Sequence, residues 1–354
     1  MTQSYNSQLP IFWFHILDSA LKARMGDTSE LWEGEGSYQA LLSSNSVSAY
    51  QLQDAITNIY QRFGYELIDI FSESAEYFDE LELELELELE LGPPVLAILT
   101  APSLTSFCEL LSRYSIHIHP LLKIFSREVD NGGLELWVVT PEYVDEITLM
   151  THMSLGLYYG LILKLIRRYL NAPDQLIAIH FNRHTVGEEF LPVFERVFNV
   201  QMKQGYPIRY FLFDKDVVNR QGRSFLPDFH SGLKQMADKQ LEDVLESSML
   251  FKVNEAFKTM PVKDVSQDNI ASALYMSART LNRKLQQEGI NFRRLFDKYR
   301  LELSLTMLNS HDANITLIAH ELGFSDSSAF SRAFKKWTGH SPRQVRQSKL
   351  DAGL

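Results

Sequence analysis

The chain has 354 residues, 45 acidic against 34 basic, for a formal charge of −11 with one cysteine. Taken whole, that charge argues against a nucleic-acid partner, because duplex affinity comes largely from neutralised phosphates; divided after residue 250 it does not, since 35 acidic and 18 basic residues (−17) precede the cut and 10 acidic and 16 basic (+6) follow it. The lone Cys108 excludes an intrachain disulfide, the first residues lack the basic start of a signal peptide, and the longest apolar run, Leu155 to Leu163, is well short of the ~20 residues of a membrane span, so a cytoplasmic chain of two domains with no membrane association is expected.

Apolar residues at helical spacing predict helices over Leu9 to Leu21 and Ala49 to Phe63, the second capped by Ser48. Glu80 to Leu91 is six Glu-Leu dipeptides followed by Gly92-Pro93-Pro94. Wound as a helix, its leucines would spread around the cylinder; extended, they share one face and the glutamates the other, so a lengthened strand or surface insert is favoured over a selected acidic binding face. Val95 to Leu99 is a short apolar run suited to a strand, and Ser103 to Tyr114 reads as a helix with Leu104, Phe107, Leu110 and Leu111 on one side. Asp130-Asn131-Gly132-Gly133 predicts a hairpin between Leu121 to Val129 and Leu134 to Val139. A long helix from Glu146 to Leu170, a strand at Leu176 to Phe181, a helix at Glu188 to Phe198 and a strand at Ile208 to Phe213 complete an α+β domain, residues 1–218. Residues 219–234, with Gly222, Pro227 and Gly232, read as a linker, and 235–249 as a connecting helix. Beyond them, 250–349 is basic and all-α.

That C-terminal body repeats itself. Ile270-Ala271-x-x-Leu274-Tyr275-Met276-Ser277 recurs 48 residues later as Ile318-Ala319-x-x-Leu322-Gly323-Phe324-Ser325, and Leu281-x-Arg283-x-Leu285 is answered by Phe330-x-Arg332-x-Phe334 at a spacing of 49. Each copy suits a helix-turn-helix: a small Ala where two helices cross, Gly or a substitute in the turn, Ser capping the second helix, and an apolar pair four apart pinning it inward. In the first copy Arg279, Thr280, Asn282, Arg283 and Gln286 are left for a partner, and Arg, Asn and Gln are the side chains that grip guanine and adenine through paired hydrogen bonds. In the second, Ser327, Ser328, Ser331, Arg332, Lys335 and Lys336 face out, a composition suited to phosphate or degenerate contacts. Between the copies, Phe292 to Asn309 reads as one amphipathic helix carrying Phe292, Leu295, Phe296, Tyr299, Leu303 and Leu308 inward, after Gly289 has ended the helix before it. At ~1.5 Å per residue it is ~27 Å long, enough to set two recognition helices near the ~34 Å between successive major-groove faces.

The stretch from Gly289 and Phe292 through Arg300-Leu301, Ile315, Ile318-Ala319, Gly323-Phe324, Phe330-x-Arg332-x-Phe334-Lys335, Gly339 and Pro342 resembles the signature of the AraC/XylS transcription regulators. The resemblance covers roughly Leu250 to Arg346 and implies two helix-turn-helix subdomains joined by a long helix and bound to promoter duplex DNA. It places the family's base-facing positions on Arg279, Asn282 and Arg283 in the first recognition helix and on Ser327, Ser328, Ser331 and Arg332 in the second. Tyr275 departs from it where a turn glycine is usual, and Val345 where Tyr is frequent. Ala101-Pro102-Ser103-Leu104, Leu110-Leu111-x-Arg113-Tyr114 and Phe194-x-x-Val197-Phe198 more weakly resemble the "arabinose-binding" effector domain of this family. That implies a sensor and dimerisation domain for an unidentified small-molecule effector, with a second copy of the chain and RNA polymerase as further partners.

No Gly-x-Ser-x-Gly elbow, P-loop or HExxH helix occurs, and neither a catalytic residue, a metal ligand nor a cofactor is assigned. His117 and His119 share a face if extended, and His180 and His184 are four apart, but the second pair straddles a turn-like Asn182-Arg183. Phe12, Trp13, Phe14, Trp137, Tyr158 and Tyr159 could line an effector pocket, although core is the preferred reading, as a buried inert thiol is for Cys108. The competing functions are a protein-binding adaptor and an enzyme in residues 1–220 with a regulatory C-terminal module.

Overall fold

Helix α1 (Phe12–Met25) begins directly after strand β1 (Gln8–Pro10), and the computed structural model describes residues 8–32, 38–64, 66–76, 92–119, 122–129, 132–139, 149–170, 177–181, 191–204, 209–222, 224–308 and 313–351. The Glu-Leu run lies outside these residues. After the short α2 (Tyr38–Leu42), strand β2 (Ser46–Ser48) pairs antiparallel with β1 and delivers the chain into α3 (Ala49–Phe63). Ser48 caps α3 as expected: its hydroxyl accepts from the Gln51 N–H at 3.0 Å while the Gln51 side chain accepts from the Ser48 N–H at 3.0 Å, so two orphan donors are satisfied at once. Helix α4 (Glu66–Glu76) follows.

The expected strand at Val95 to Leu99 is instead helix α5 (Pro93–Leu99). Gly92 turns the chain at φ 57°, Pro93 and Pro94 occupy the first helical turn, where a missing N–H is harmless, and a five-residue apolar run has no period that could tell a strand from a buried helix. Ser103 then caps α6 (Leu104–Ile118) by accepting from the Ser106 N–H. The hairpin forms as read, β3 (Lys123–Glu128) against β4 (Leu134–Val139). Helix α7 (Leu149–Leu170), β5 (Ile177–Phe181), α8 (Leu191–Phe198), β6 (Gln201–Gln204), β7 (Arg209–Phe213) and α9 (Lys215–Val218) complete this part. The larger sheet runs β3-β4-β7-β5-β6, antiparallel except for the β5–β6 pair.

Helix α10 (Pro227–Ser247) starts well before Gln235, the expected beginning of the connecting helix, and takes up Pro227 and Gly232 that had read as linker. Proline suits its first turn. Leu233, Ala237 and Leu241 pack it into the N-terminal core against α5, and Asp238 accepts from Arg113 Nε and from the Tyr114 hydroxyl, both at 2.8 Å.

The remainder is helical: α11 (Met249–Lys258), α12 (Gln267–Ala273), α13 (Ala278–Gln287), α14 (Phe292–Leu308), α15 (Ile315–Glu321), α16 (Ser327–Thr338) and α17 (Pro342–Asp351). It holds two cores. Leu281, Leu285, Leu295 and Phe296 belong to the first, and Leu301, Leu305, Phe330 and Phe334 to the second, so α14 serves one core with its first half and the other with its second.

The sheet joins the two bodies. In β4, Leu134, Leu136 and Val138 enter the N-terminal core, whereas Trp137 and Val139, on the opposite face, enter the second C-terminal core with Tyr210 of β7. All six residues of β4 are therefore buried, although side chains alternate along a strand. Phe125, Trp137 and Tyr210, facing one another in register, stack across three strands with ring centroids 5.5 and 5.7 Å apart. Glu135 on this face is only 2 % exposed, but its charge is met by Arg127 at 3.0 Å and by the Trp137 indole N–H at 2.6 Å. Lys123 of β3 pairs with Glu302 of α14 at the edge of the seam.

Candidate nucleic-acid interface

Helix α13 is the second helix of the first repeat. Ser277 caps it by accepting from the Thr280 N–H at 3.1 Å, and the two hydroxyls lie 2.9 Å apart, so Thr280 is engaged in the cap as well as sitting at the helix start. Leu281 and Leu285 are fully buried. Arg279, Arg283 and Gln286 are exposed and Asn282 is half-buried; spaced i, i+3, i+4 and i+7, the four share one face of the helix. Neither guanidinium makes an ion pair or hydrogen bond with the described residues.

Helix α16 is the counterpart, with Phe330 and Phe334 fully buried. Its cap is Asp326, where the repeat had suggested Ser325. The Asp326 carboxylate accepts from the N–H groups of Ser328 at 2.8 Å and Ala329 at 2.7 Å, and the Ser325 hydroxyl donates to it at 3.0 Å. The Ala329 N–H and then that hydroxyl hold the carboxyl below its ordinary range. The one-residue shift explains the change in repeat spacing, because Ser277 and Asp326 are 49 apart, as the inward pairs are. Ser328, Arg332, Lys335 and Lys336 are exposed, while Ser327 and Ser331 are half-buried. The Ser331 hydroxyl donates to the Ser327 carbonyl at 2.7 Å, a contact within the helix that sequence spacing does not reveal.

The turns differ in the same way. Gly323 has φ 74°, and Tyr275 takes the first turn at φ 55°, the left-handed region a β-carbon disfavours. Tyr275 is 99 % exposed, so its side chain meets no obstacle there. Behind α13, Glu288 accepts from the Ser248 hydroxyl at 3.0 Å and from the Met249 and Leu250 N–H groups at 2.5 and 2.8 Å. One carboxylate thus ties the end of α13 to the joint between α10 and α11, a link of 38 to 40 residues that no local motif announces.

The alternatives raised by the sequence meet a different geometry. His117 lies on the last turn of α6 and His119 just beyond it, so they do not share the face of a strand; burial, and then the nearby Lys298 charge, pushes His119 down to about 3, and burial lowers His117. His184 lies outside the described residues. Phe12, Trp13, Phe14, Trp137, Tyr158 and Tyr159 are all buried, Trp137 in the seam. Cys108 is buried too, which raises its thiol pKa. No described helix is long and apolar enough to cross a membrane.

Residues 270–348 match the family described as a helix-turn-helix domain. The chain is 25 % identical over 269 residues to the HTH-type transcriptional regulator VqsM of Pseudomonas aeruginosa, covering 72 % of this chain and 78 % of that one. To the HTH-type transcriptional activator RhaS of Escherichia coli it is 38 % identical over 87 residues, 24 % of this chain and 31 % of the relative. Among solved structures it is similar to the transcriptional regulator CdpR from Pseudomonas aeruginosa, with 16 % identity, a TM-score of 0.44, and 95 % and 98 % of the two chains covered. The duplicated frame, the domain match and the relatives support a DNA-binding transcription regulator whose C-terminal helix-turn-helix domain is of the AraC type.

Proposed function

We propose that the chain is a sequence-specific transcription regulator of the AraC/XylS type, in which residues 1–218 take a small-molecule effector and control how residues 250–349 meet promoter DNA. The observation that carries this reading is the pair of buried-and-capped second helices, each presenting polar residues outward: Arg279, Asn282, Arg283 and Gln286 on α13, and Ser328, Arg332, Lys335 and Lys336 on α16. The first set reads base edges and the second anchors phosphates, with Thr280, Ser327 and Ser331 at the margins. Effector control is supported by the seam: the sheet of the N-terminal body and the second C-terminal core share one cluster, so a ligand that changes the sheet changes the seat of α14. A second copy of the chain and RNA polymerase are the further partners of this reading.

Binding of the full chain to promoter fragments over a salt series tests it. Log affinity should fall linearly with log salt as phosphates are neutralised. A chain that binds no duplex at low salt is the adaptor, and the DNA reading is then wrong. A thermal-shift screen against amino acids, amines, sugars and fatty acids tests the sensor role, because a ligand of the folded state alone raises its stability by mass action.

A further inference from the structure

The two helix-turn-helix units are fastened by more than the helix between them. Arg300 lies on α14 where its burial passes from the first core to the second. Its guanidinium carbon is 4.1 Å from the ring centre of Phe296, a member of the first core, and 4.6 Å from that of Phe324. Phe324 packs on the second core, with ring centres 5.5 Å from Phe330 and 6.0 Å from Trp337. One guanidinium nitrogen donates to the Gly323 carbonyl at 3.4 Å, and Nε is buried with no hydrogen-bond partner among the described residues. Burial lowers the pKa of this group. This half-buried cation with one long hydrogen bond feels the Asp297 charge nearby and draws further compensation from the two aromatic faces.

The same turn is also approached by backbone of the first unit. A β-carbon on Gly323 would stand 2.8 Å from the Lys263 Cα and 3.3 Å from the Arg300 guanidinium. Lys263 sits in the tight 3₁₀ turn Val262–Asp264, which precedes α12 in the first unit. The turn of the second unit therefore meets both the backbone of the first and a stacked arginine. In the first unit the equivalent residue, Tyr275, is almost wholly exposed and makes no such contact.

We propose that Arg300 is a positioning residue that locks the second helix-turn-helix unit against the first, so that α13 and α16 keep one separation and angle before DNA is met. The lock itself is a property of the free protein; its use, reading two half-sites at one spacing, rests on the DNA-binding function proposed above. A planar guanidinium can stack on two rings at once, whereas an ammonium group cannot, so Lys at this position should restore the charge without the lock.

Paired nitroxide labels on Gln287→Cys and Arg343→Cys, both exposed positions, report the separation in the full chain without DNA. The parent should give one narrow distance distribution, and Arg300→Ala and Arg300→Lys a broadened one. Cooperative thermal unfolding shows whether each variant is folded. Should Arg300→Ala fail to fold, Phe324→Leu, which keeps apolar volume but removes one aromatic face, carries the test with the same expected broadening. A distribution as narrow as the parent's in a folded Arg300→Ala, or in Phe324→Leu if it is needed, overturns the proposal. On duplexes selected by the parent, one base pair inserted between half-sites should weaken the parent roughly tenfold and Arg300→Ala far less. Equal losses would mean that the lock does not set spacing. Failure of the parent to bind any duplex would sink the DNA-binding function while leaving the distance result to stand or fall alone.

Discussion

Tyr275 and Gly323 occupy equivalent turns with the same backbone sign, and their surroundings decide what each tolerates. The left-handed conformation costs a residue with a β-carbon about 1–2 kcal/mol, and nothing around Tyr275 offsets it. Tyr275→Gly should raise stability by about 0.5–1 kcal/mol, the relief being partly offset by the larger unfolded-state entropy of glycine. Gly323→Ala should lower it, because both the positive φ and the 2.8 Å approach to the Lys263 backbone are violated; urea unfolding measures both. At the cap of α16, the depressed Asp326 pKa makes the stabilisation by its carboxylate complete above the ordinary carboxyl value of about 4 and lost as pH falls through and below it. Thermal unfolding of the parent and Asp326→Asn should therefore converge between pH 5 and pH 3, since Asn caps at both values. The strained turn was legible in the sequence, as Tyr275 breaks the repeat where its partner is glycine. The cap was not, because aligning the serines hid the one-residue shift by which Asp326, and not Ser325, replaces Ser277.

Among the elements, residues at diagnostic spacing are what made structure legible in the sequence. The capping box of α3, the hairpin and the two inward pairs of the helix-turn-helix units each have residues at diagnostic spacing. Val95 to Leu99 has only its apolarity, and it is a helix because Gly92-Pro93-Pro94 starts one and α6 and α10 cover it. Leu301 and Leu305 lie off the single apolar stripe of α14, because that helix serves two cores. For α13 and α16, the proposed base-reading and phosphate roles differ in how substitution should act. Arg283→Ala should weaken the preferred duplex by about 1–3 kcal/mol and relax sequence preference at one position, while Lys336→Ala should weaken all duplexes alike and flatten the salt slope by about one. Footprinting of both variants on specific and random duplexes measures the difference, and equal losses on the two DNAs for Arg283→Ala would remove it from base reading.

At the scale of the molecule, the uneven charge of the chain becomes a physical arrangement: the basic body sits against the acidic one through a buried aromatic face with the Lys123–Glu302 ion pair at its edge. The run Leu134 to Val139 carried a hint of this, since its apolar residues do not alternate cleanly with polar ones, as a strand covered on both faces requires. Nothing in it named the second cover, because a core shared by residues as distant as Trp137 and Leu305 leaves no local pattern. Trp137 is the centre of the seam, stacked between Phe125 and Tyr210 and buried in the second C-terminal core. Trp137→Ala should cost about 3–5 kcal/mol at that site, as large-to-small changes in cores do. The loss should be local to the seam. Hydrogen exchange should quicken in the half of α14 that carries Leu301, Leu305 and Leu308, and remain unchanged around Leu281 and Leu285 in the first core, to which no strand contributes among the described residues. Uniform acceleration through both cores would mean that the C-terminal body opens as one unit. Unchanged protection in α14 would mean that the sheet does not hold it, and that an effector bound to the N-terminal body must act through another route, for which the Glu288 link between α13 and the α10–α11 joint is one connection.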